Sequence, residues 1–296
     1  MKPKLLSPGD TIGLVAPSHV ADPARYDGII KAINRLGFAV KTGENFYKNT
    51  YGYSATAIER ADDFNAMFRD GEVKMVFFGG GTGAVDLLPH LDFNCISKNP
   101  KIVCSYSDGT TLLNAIYAQT GMTTYYGPAP ADLADFRHYD YTQFAAHFIN
   151  GGIRRFESNS DWVTVCGGRC EGVLIGGHVK VFALLLSNKY FRYDPNQQYL
   201  LFMEINANTY DIRLLSTYLE NVEQSHFMKN VTGLLFGHYT IPANQDLILR
   251  LERLGKRHGI PVVYCDDFGH GLNHAILPIG VRAEMNADAQ TLDFLE

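Results

Sequence analysis

Short apolar runs alternate with amphipathic stretches through the first half of the chain. The run TIGLVAP predicts a buried strand, and a helix is predicted near 25–36 because Ile29 and Ile33 fall on one face. Thr56 and Glu59 have the spacing of a capping box, which predicts the start of a second helix. The later runs KMVFFG and KIVCS, with a helix between them, continue a βαβα rhythm. This rhythm predicts a mostly parallel sheet with helices on both faces.

The second half has a less regular pattern. It contains the β-like runs GVLIG, YLLFMEI, TGLLFGHY and PVVYCDD, a helix near 212–219 and a helix capped by Asn244. The last segment, LPIGVRAEMNADAQTLDFLE, predicts a small antiparallel closing element. The intervening stretch 128–162 is rich in Asp, Tyr and Asn and is interpreted as a crossover between domains. We therefore predict an α/β domain over 1–150 and a second domain over 151–296.

Net charge and the lengths of the apolar runs narrow the classes of partner. The chain carries a net charge of −5, and its Lys and Arg residues are scattered rather than gathered in one stripe. A nucleic-acid partner requires a basic face, so we expect none. No apolar run approaches the roughly 18 residues that a membrane span needs, and the N-terminal run is too short for a secretion signal. We therefore expect a cytoplasmic protein with no membrane partner.

The cysteines favour reduced thiols, because an odd number in a chain of this size does not suggest a disulfide framework. An alternative is a zinc set formed by Cys166 and Cys170 with Cys265 and His270. No second closely spaced pair follows the first, so we expect no metal and no other cofactor.

The segment SYSDG, from Ser105 to Gly109, lies where a buried strand should end and a helix should begin. A serine in such a turn presents its hydroxyl clear of the sheet, beside backbone N–H groups that can bind an oxyanion. Ser107 is therefore a candidate nucleophile, although Ser105 stands where a G-x-S-x-G elbow has its first glycine. The alternative is that Ser107 only caps the following helix, as serine commonly does.

A glycine-rich loop, GGGTG from Gly79 to Gly83, follows one predicted strand and precedes a helix. Such a loop can bind a phosphate, supply an oxyanion donor or form a tight turn. It has no Walker lysine, and its glycines do not follow the G-x-G-x-x-G spacing. A dinucleotide site is therefore not expected.

Two further candidates lie in the second half. Glu204 ends an apolar strand, and the alternatives for its carboxylate are exposure to solvent or an ion pair with Arg213. His270 lies between glycines after PVVYCDD, at a strand end where sites in α/β sheets gather. His274 and His178 compete with it for any catalytic role. Ser, acid and His in this order fit nucleophilic hydrolysis, and a non-catalytic binding protein is the alternative.

The ordered set of short motifs along the chain resembles the LD-carboxypeptidase family of serine peptidases, which includes the microcin-immunity peptidases. The motifs are LSPGD and APS near the N-terminus, then GGTG with LLPHLD, NPK leading to SDGT, YGP, IGG, LFME, GH and LPIG. Each motif alone has little specificity, but their order along almost the whole chain is distinctive.

The resemblance implies a fold and a set of roles. The fold would be α/β, with a flavodoxin-like N-terminal domain on a parallel sheet and a smaller, mainly β C-terminal domain. The usual assembly would be a homodimer without metal. Ser107 would be the nucleophile, Glu204 the orienting acid and His270 the base. The oxyanion donors would be the backbone N–H groups of Asp108, Gly80 and Gly81.

The resemblance also implies a small peptide substrate. Family members typically cleave the amide before a terminal D-alanine in murein tetrapeptides, and this specialisation is favoured. The immunity branch instead cleaves peptidyl or aminoacyl nucleotide analogues. An aromatic side chain that stacks a base would favour that alternative, for example Trp162, Tyr190 or Phe191, although aromatic residues at such sites more often belong to the core.

The chain departs from the family pattern at positions that bear on substrate choice. Ser105 stands where Gly is common, Asp86 where Arg is usual, and His178 where Asn is expected. None of these departures removes a member of the expected triad. They affect the choice of substrate more than the type of reaction.

Overall fold

The computed structural model describes residues 1–295 and contains two β-sheets. The strands of the first half are β1 (Thr11–Leu14), β2 (Ala39–Thr42), β3 (Val73–Phe77), β4 (Ile102–Ser105) and β5 (Thr124–Tyr126). They are parallel and lie in the order β2-β1-β3-β4-β5, which is the flavodoxin-like arrangement. The fold class predicted for the N-terminal region is confirmed.

Helices connect these strands and cover the sheet. The α-helices are α1 (Pro23–Arg35), α2 (Ala57–Arg69), α3 (Phe93–Lys98), α4 (Thr110–Thr120), α5 (Pro130–Ala134) and α6 (His138–Phe144). Turns of 3-10 helix span Ala84–His90 and Ser107–Gly109, and a π-helical turn spans Ala145–Asn150. The helical segment 138–150 is therefore divided between α6 and this π-helical turn.

Capping side chains set the starts of two helices. The N–H of Glu59 donates to Thr56 Oγ1 and the N–H of Thr56 donates to the Glu59 carboxylate, so the predicted capping box is confirmed. Helix α1 begins at Pro23 rather than at residue 25. The reason is that Asp22 accepts from the N–H of Ala24, and Pro23 fits the first helical turn.

The second half builds a second sheet and part of the first. Its strands are β6 (Val163–Cys166), β7 (Arg169–His178), β8 (Tyr199–Glu204), β9 (Val231–Phe236), β10 (Val262–Tyr264), β11 (Leu277–Ile279), β12 (Arg282–Asn286) and β13 (Thr291–Phe294). All except β11 form a seven-stranded sheet in the order β13-β12-β7-β8-β9-β10-β6. Its central strands β7 to β10 are parallel, and the edge strands are antiparallel.

Three α-helices accompany this second sheet: α7 (Val179–Leu185), α8 (Ile212–Gln224) and α9 (Gln245–His258). A 3-10 turn spans His226–Asn230. Asn244 caps α9, as the sequence predicted, by accepting from the N–H of Leu247. Within residues 1–295, every helix falls short of the length and apolar character that crossing a bilayer requires.

Strand β11 belongs to the second half of the chain but completes the first sheet. It pairs antiparallel with β5, with Leu277 opposite Tyr126. The first sheet therefore draws on both of the predicted domain ranges, 1–150 and 151–296. The division of the chain at residue 150 stays a prediction.

The two sheets share one hydrophobic core where they meet. Buried side chains of α4, β7 and β8 belong to a single cluster, and the rings of Tyr126 and Phe202 lie 5.5 Å apart between centroids. The buried Asn114 of α4 donates to the carbonyl of Gly176 in β7 at 2.8 Å. A large apolar contact of this kind holds two regions in one arrangement.

Gly177 allows β7 to end against the start of α4. A Cβ at this position would lie 2.4 Å from Thr110 Oγ1, which is too close for any other residue. The same hydroxyl oxygen accepts the N–H of His178 at 2.9 Å. The close approach places the carboxyl end of β7 beside the turn that contains Ser107.

Candidate active site

Ser107 lies in the turn between β4 and α4, with a backbone conformation that L-residues rarely adopt. Its φ is +56°, in the left-handed region, which costs roughly 1–2 kcal/mol for a residue other than glycine. The side chain caps neither the 3-10 turn nor α4, so the interpretation of Ser107 as a helix cap is wrong. Strain of this kind persists only where the surroundings hold it, and here Ser107 lines a cleft.

Two neighbours hold the strained turn. The N–H of Ser107 donates to the hydroxyl of Tyr126 at 3.0 Å. Gly80, from the glycine-rich loop, packs directly against Ser107, and a Cβ at Gly80 would lie 2.6 Å from the Ser107 Cβ. Only glycine fits at that distance, so the loop is a tight turn pressed against the serine.

His270 lies in the loop after β10, and its ring connects the serine to a carboxylate. Its Nε2 is 3.1 Å from Ser107 Oγ and its Nδ1 is 2.7 Å from Glu204 Oε2. With Glu204 ionised, Nδ1 carries the proton and Nε2 is free to accept one. The structure therefore brings together the three side chains that the sequence singled out.

Glu204 is fully buried at the end of β8, so the alternative of a solvent-exposed acid is wrong. Its Oε1 accepts a hydrogen bond of 2.5 Å from the hydroxyl of Tyr126, and its Oε2 faces His270. Arg213 pairs with Asp211 instead, so the alternative ion pair is also wrong. A carboxylate is stable in such a place only when it is paired and hydrogen-bonded, and both of its oxygens are.

Burial and mutual attraction act in opposite directions on this acid–histidine pair. Burial raises the pKa of the Glu204 carboxyl, but the interactions with His270, His178 and Tyr126 together outweigh it and hold the pKa below its usual value. Burial lowers the pKa of His270, but the charge and hydrogen bond of Glu204, with the charge of Asp132, outweigh it and raise the pKa above its usual value. The pair therefore favours a carboxylate beside a histidine that readily accepts a proton.

The side chain of His274 is bonded to Asp140 and not to the serine. Its Nδ1 is 3.0 Å from Asp140 Oδ2, and Asp140 also accepts its backbone N–H at 2.9 Å. The Tyr106 ring contacts both histidines, with its centroid 6.0 Å from that of His274 and 5.1 Å from that of His270. His274 therefore contributes to packing, and His270 is the one of the two that contacts the serine.

His178 lies beside the acid–histidine pair. Its ring centroid is 5.5 Å from that of His270, and burial lowers the pKa of His178 to about 4. Its Nδ1 is buried without a hydrogen-bond partner among residues 1–295. His178 is thus a neutral neighbour of the pair at neutral pH.

The cysteines do not form the zinc set considered from the sequence. Within residues 1–295, one group of three side chains has metal-ligand atoms within 4.8 Å of one another, and it consists of His178, Glu204 and His270. Cys166, Cys170 and Cys265 have no part in it, so that alternative is wrong. In this group Glu204 and His270 already bond to each other.

The residues predicted to bind an oxyanion lie around the serine. Asp108 follows Ser107, and its carboxylate accepts from the N–H of Ala84 at 2.8 Å, which ties the turn to the end of the glycine-rich loop. No backbone carbonyl within residues 1–295 accepts from the N–H groups of Gly80 or Gly81. The assignment of Asp108, Gly80 and Gly81 to an oxyanion site stays a prediction that this geometry permits.

Tyr126 is a residue of the site that the sequence reasoning missed. It is fully buried at the end of β5, where its hydroxyl accepts from the N–H of Ser107 and donates to Glu204. One phenol therefore joins the serine turn of the first sheet to the acid of the second. The feature of the sequence that could have indicated its role is its place in the YGP motif, directly after a short strand.

Arg60 was missed as well. Its buried guanidinium donates to the carbonyls of Ala55 at 3.1 Å, Gly83 at 3.0 Å and Pro17, and lies 3.4 Å from Asp86. It therefore fastens the glycine-rich loop to the segments after β1 and before α2. Asp86, which departs from the family pattern, supplies its acidic partner. The feature of the sequence that could have indicated its role is the presence of an arginine on the apolar face of a predicted helix.

The serine and histidine open into a cleft of about 600 Å³. Its walls come from the glycine-rich loop, α7 and the loop after β8, and its charged lining residues are Asp86, Asp108 and Lys180. Ser105, by contrast, is fully buried beneath the turn. The departures at Asp86 and His178 thus line the cleft, whereas the one at Ser105 does not.

The aromatic residues considered for base stacking lie outside the cleft. Trp162, Tyr190 and Phe191 pack against other aromatic rings, and none of them lines the cleft, so they give no support to the nucleotide-analogue alternative. The aromatic side chains that do line it are Tyr53, which is 68% exposed, and Tyr210. Neither was considered from the sequence.

Two family domains match the chain. The LD-carboxypeptidase N-terminal domain matches residues 12–127, and the LD-carboxypeptidase C-terminal domain matches residues 171–285. A probable murein peptide carboxypeptidase of Bacillus subtilis (strain 168) is 31% identical, over 98% of this chain and 93% of its own length. The microcin C7 self-immunity protein MccF of Escherichia coli is 39% identical over a shorter stretch, which covers 42% of this chain and 37% of that protein.

Solved structures with this fold extend the comparison. The crystal structure of an MccF-like protein from Bacillus anthracis str. Ames superposes with a TM-score of 0.89 at 25% identity, covering 100% of this chain and 99% of that one. The structure of MccF in complex with glutamyl sulfamoyl guanosine superposes with a TM-score of 0.85 at 24% identity, covering 99% and 98%. The second likeness concerns the fold alone.

Proposed function

The chain belongs to the LD-carboxypeptidase family, and from this membership and the geometry of its site we propose that it is a serine carboxypeptidase. The observation that carries the proposal is one continuous chain of contacts. Ser107 Oγ lies 3.1 Å from His270 Nε2, and His270 Nδ1 lies 2.7 Å from Glu204. A serine held in a strained turn at the end of this chain is suited to nucleophilic attack on an amide.

In the proposed mechanism the Ser107 oxygen bonds to the scissile carbonyl carbon while its proton moves to His270 Nε2. Glu204 holds Nδ1–H and stabilises the imidazolium. The carbonyl oxygen becomes an oxyanion, which the N–H groups of Asp108, Gly80 and Gly81 bind. Collapse breaks the C–N bond, and His270 returns the proton to the leaving amine. Water then cleaves the acyl-enzyme by the same steps, with His270 again accepting and returning a proton.

The proposed substrate is a murein tetrapeptide, cleaved before its terminal D-alanine. Two observations support this choice. The Bacillus subtilis relative that aligns over almost the whole chain carries the name of a murein peptide carboxypeptidase. The cleft at Ser107, of about 600 Å³, has the size expected of a site for a small ligand.

The test is mass spectrometry of a murein tetrapeptide incubated with the wild-type protein and with Ser107→Ala. Loss of one D-alanine with the wild type alone supports both the reaction and the nucleophile. Equal cleavage by both proteins would overturn the Ser107 mechanism. In parallel, a serine-directed phosphonate should label the wild type at Ser107. No labelling of folded protein would favour a binding protein on the same scaffold.

The second candidate is a peptidase that cleaves peptidyl or aminoacyl nucleotide analogues. The observation that favours it is the exposed aromatic ring of Tyr53 at the cleft, a kind of side chain that can stack on a base. The complexes of MccF with sulfamoyl nucleosides add a structural relative with such a ligand. Cleavage of an aminoacyl sulfamoyl adenosine, with no release of D-alanine from tetrapeptide, would replace the first candidate by this one.

The remaining parts of the proposal follow from the family resemblance. We expect a homodimer that acts in the cytoplasm during recycling of the cell wall, without metal or other cofactor. Sedimentation of the purified protein tests the oligomeric state. Activity that is retained in the presence of a chelator tests the independence from metal.

A further inference from the structure

Lys180 stands out among the residues of the cleft because of its charge. It lies in α7, two residues after the end of β7, and lines the same cleft as Ser107 and His270. Among the described residues that line this cleft, it is the one Lys or Arg. The cleft therefore has a single permanent cation.

Among the residues that the structure describes, the ammonium of Lys180 has one polar partner, and that partner is neutral. Its Nζ lies 3.2 Å from the hydroxyl of Tyr210 and 5.4 Å from the centroid of the same ring. Within residues 1–295 no carboxylate forms a salt bridge with it. An ammonium has three N–H donors, so two remain for a ligand.

The acids of the cleft are engaged with other groups. Asp86 faces Arg60, and Asp108 accepts from the N–H of Ala84. The Lys180 charge still acts on Asp108, where it helps to lower a pKa that burial raises. Asp108 directly follows Ser107, and both line the same cleft as Lys180.

Tyr210 holds the lysine in place. The N–H of Tyr210 donates to the carbonyl of Asn206 at 2.9 Å, and its own carbonyl accepts from the hydroxyl of Tyr239 at 3.1 Å. Its ring meets that of His178 edge to face, with centroids 5.5 Å apart. The hydroxyl that bonds Lys180 is thus fixed by contacts on several sides, and the ammonium is ordered before a ligand binds.

A carboxypeptidase has to distinguish a free terminal carboxylate from a continuing chain. Standard bond lengths place the carboxylate carbon of the terminal residue within about 4 Å of the scissile carbonyl carbon. The group that binds this carboxylate must therefore line the same cleft as the nucleophile. A cation with free N–H donors is the suitable partner, because hydrogen bonds to charged groups are stronger than neutral ones.

We propose that Lys180, positioned by Tyr210, binds the terminal carboxylate of the substrate and makes the enzyme selective for free C-terminal acids. This inference rests on the proposed carboxypeptidase function. It adds the residue that makes the site an exopeptidase site rather than a general amidase site.

The test compares two substrates of equal length, a murein tetrapeptide with a free C-terminal carboxylate and the same peptide with a C-terminal amide. The wild type should prefer the acid in kcat/KM by about 10- to 100-fold, the range of a charge-assisted hydrogen bond. Lys180→Met, which keeps the length and apolar stem of the side chain, should bring this ratio close to one. Most of the change should appear in KM for the acid, since the carboxylate is bound in the ground state as well.

Lys189→Met is the matched control, because Lys189 also lies over a tyrosine, with its Nζ 5.2 Å from the ring centroid of Tyr190, but does not line the cleft. It should keep the wild-type ratio. Lys180→Arg should recover part of the preference, whereas a purely structural role of Lys180 would lower turnover of acid and amide equally.

Two results separate the possible failures. A wild type that cleaves neither peptide overturns the proposed function, and this inference falls with it. A wild type that cleaves the tetrapeptide, together with a Lys180→Met variant that keeps the full preference for the acid, overturns the role of Lys180 alone.

Discussion

The two regions of the molecule contribute to the site in different ways. The first region, which runs from β1 to α6, contributes a backbone conformation. The turn at Ser107 has a φ of +56° and packs against Gly80. The second region, which runs from β6 to β13, contributes the side chains of Glu204 and His270. These residues are 66 positions apart in the chain, and Glu204 Oε2 lies 2.7 Å from His270 Nδ1. The hydroxyl of Tyr126 is hydrogen-bonded to both halves.

The two regions therefore have different roles: the first positions the serine, and the second makes His270 a better proton acceptor. The position of the serine follows from local geometry, in which a strand, a tight turn and a helix succeed one another within a few residues. The readiness of His270 to accept a proton follows from a buried carboxylate supplied by a distant strand. Variants of the first region should therefore change the position of the serine, and variants of the second should change the response to pH.

The largest expected effect is at Ser107. Ser107→Ala and Ser107→Gly should each lower kcat by about 10⁴-fold or more, since neither variant has a nucleophile. Their stabilities should differ, because glycine adopts a positive φ without strain. Ser107→Gly should exceed Ser107→Ala by up to about 1 kcal/mol in the free energy of unfolding. Denaturant unfolding of the two variants is the measurement, and equal stabilities would contradict the strained turn.

Replacement of histidines in the second region compares a candidate base with a buried neighbour. His270→Ala should reduce kcat about as much as the loss of the serine, because the two act as a unit. His274→Ala should instead lower the free energy of unfolding by about 1–3 kcal/mol, since it removes the side-chain partner of Oδ2 of the buried Asp140. Kinetics and unfolding of both variants check this. A larger loss of kcat for His274→Ala would move the base to that residue.

Glu204→Gln should lower kcat by roughly 10²- to 10⁴-fold and change the pH profile. His270 has to be neutral to accept the serine proton, so activity falls as pH falls through its pKa. In the wild type Glu204 raises that pKa above 6.5, and the acidic limb should lie above pH 6.5. Without the carboxylate the pKa falls, and the limb should move to lower pH. A pH profile of kcat/KM with an unmoved limb would show that Glu204 does not act through His270.

The smallest effect is expected at the residue that joins the two regions. Tyr126→Phe removes one hydrogen bond to the serine turn and one to Glu204, and leaves the ring packing in place. We expect a loss of about 10-fold in kcat and about 1–2 kcal/mol in the free energy of unfolding. Parallel measurements of both quantities test this. Wild-type values for both would mean that the phenol has no part in holding the site.

Much of the first region was predictable because its signals are local. The capping box of Thr56 and Glu59 and the strands before Gly79 and Ser107 follow from periodicity over a few residues. Helix α1 began earlier than predicted because the cap at Asp22 decides its first turn. The left-handed conformation of Ser107 was beyond such reasoning, since its neighbours in space impose it.

The second region was less predictable because its contacts are remote in sequence. No local pattern indicated that β11 would pair with β5, or that Tyr126 would bond to Glu204. The same limit applies in the first region to Arg60, whose partners Pro17, Ala55 and Gly83 lie in three different segments. Each of these contacts depends on how the sheets and helices pack against one another.

The sequence by itself determined the order of strands and helices in the α/β region, the capping box of α2 and the family to which the chain belongs. These properties depend on periodicity and turn chemistry within short stretches, and on motifs in a given order. The tertiary structure decided which histidine faces the serine, why a glutamate can be buried, and that Lys180 is the cation of the cleft. The physical reason is that charge, burial and hydrogen bonding depend on neighbours in space, which packing alone selects.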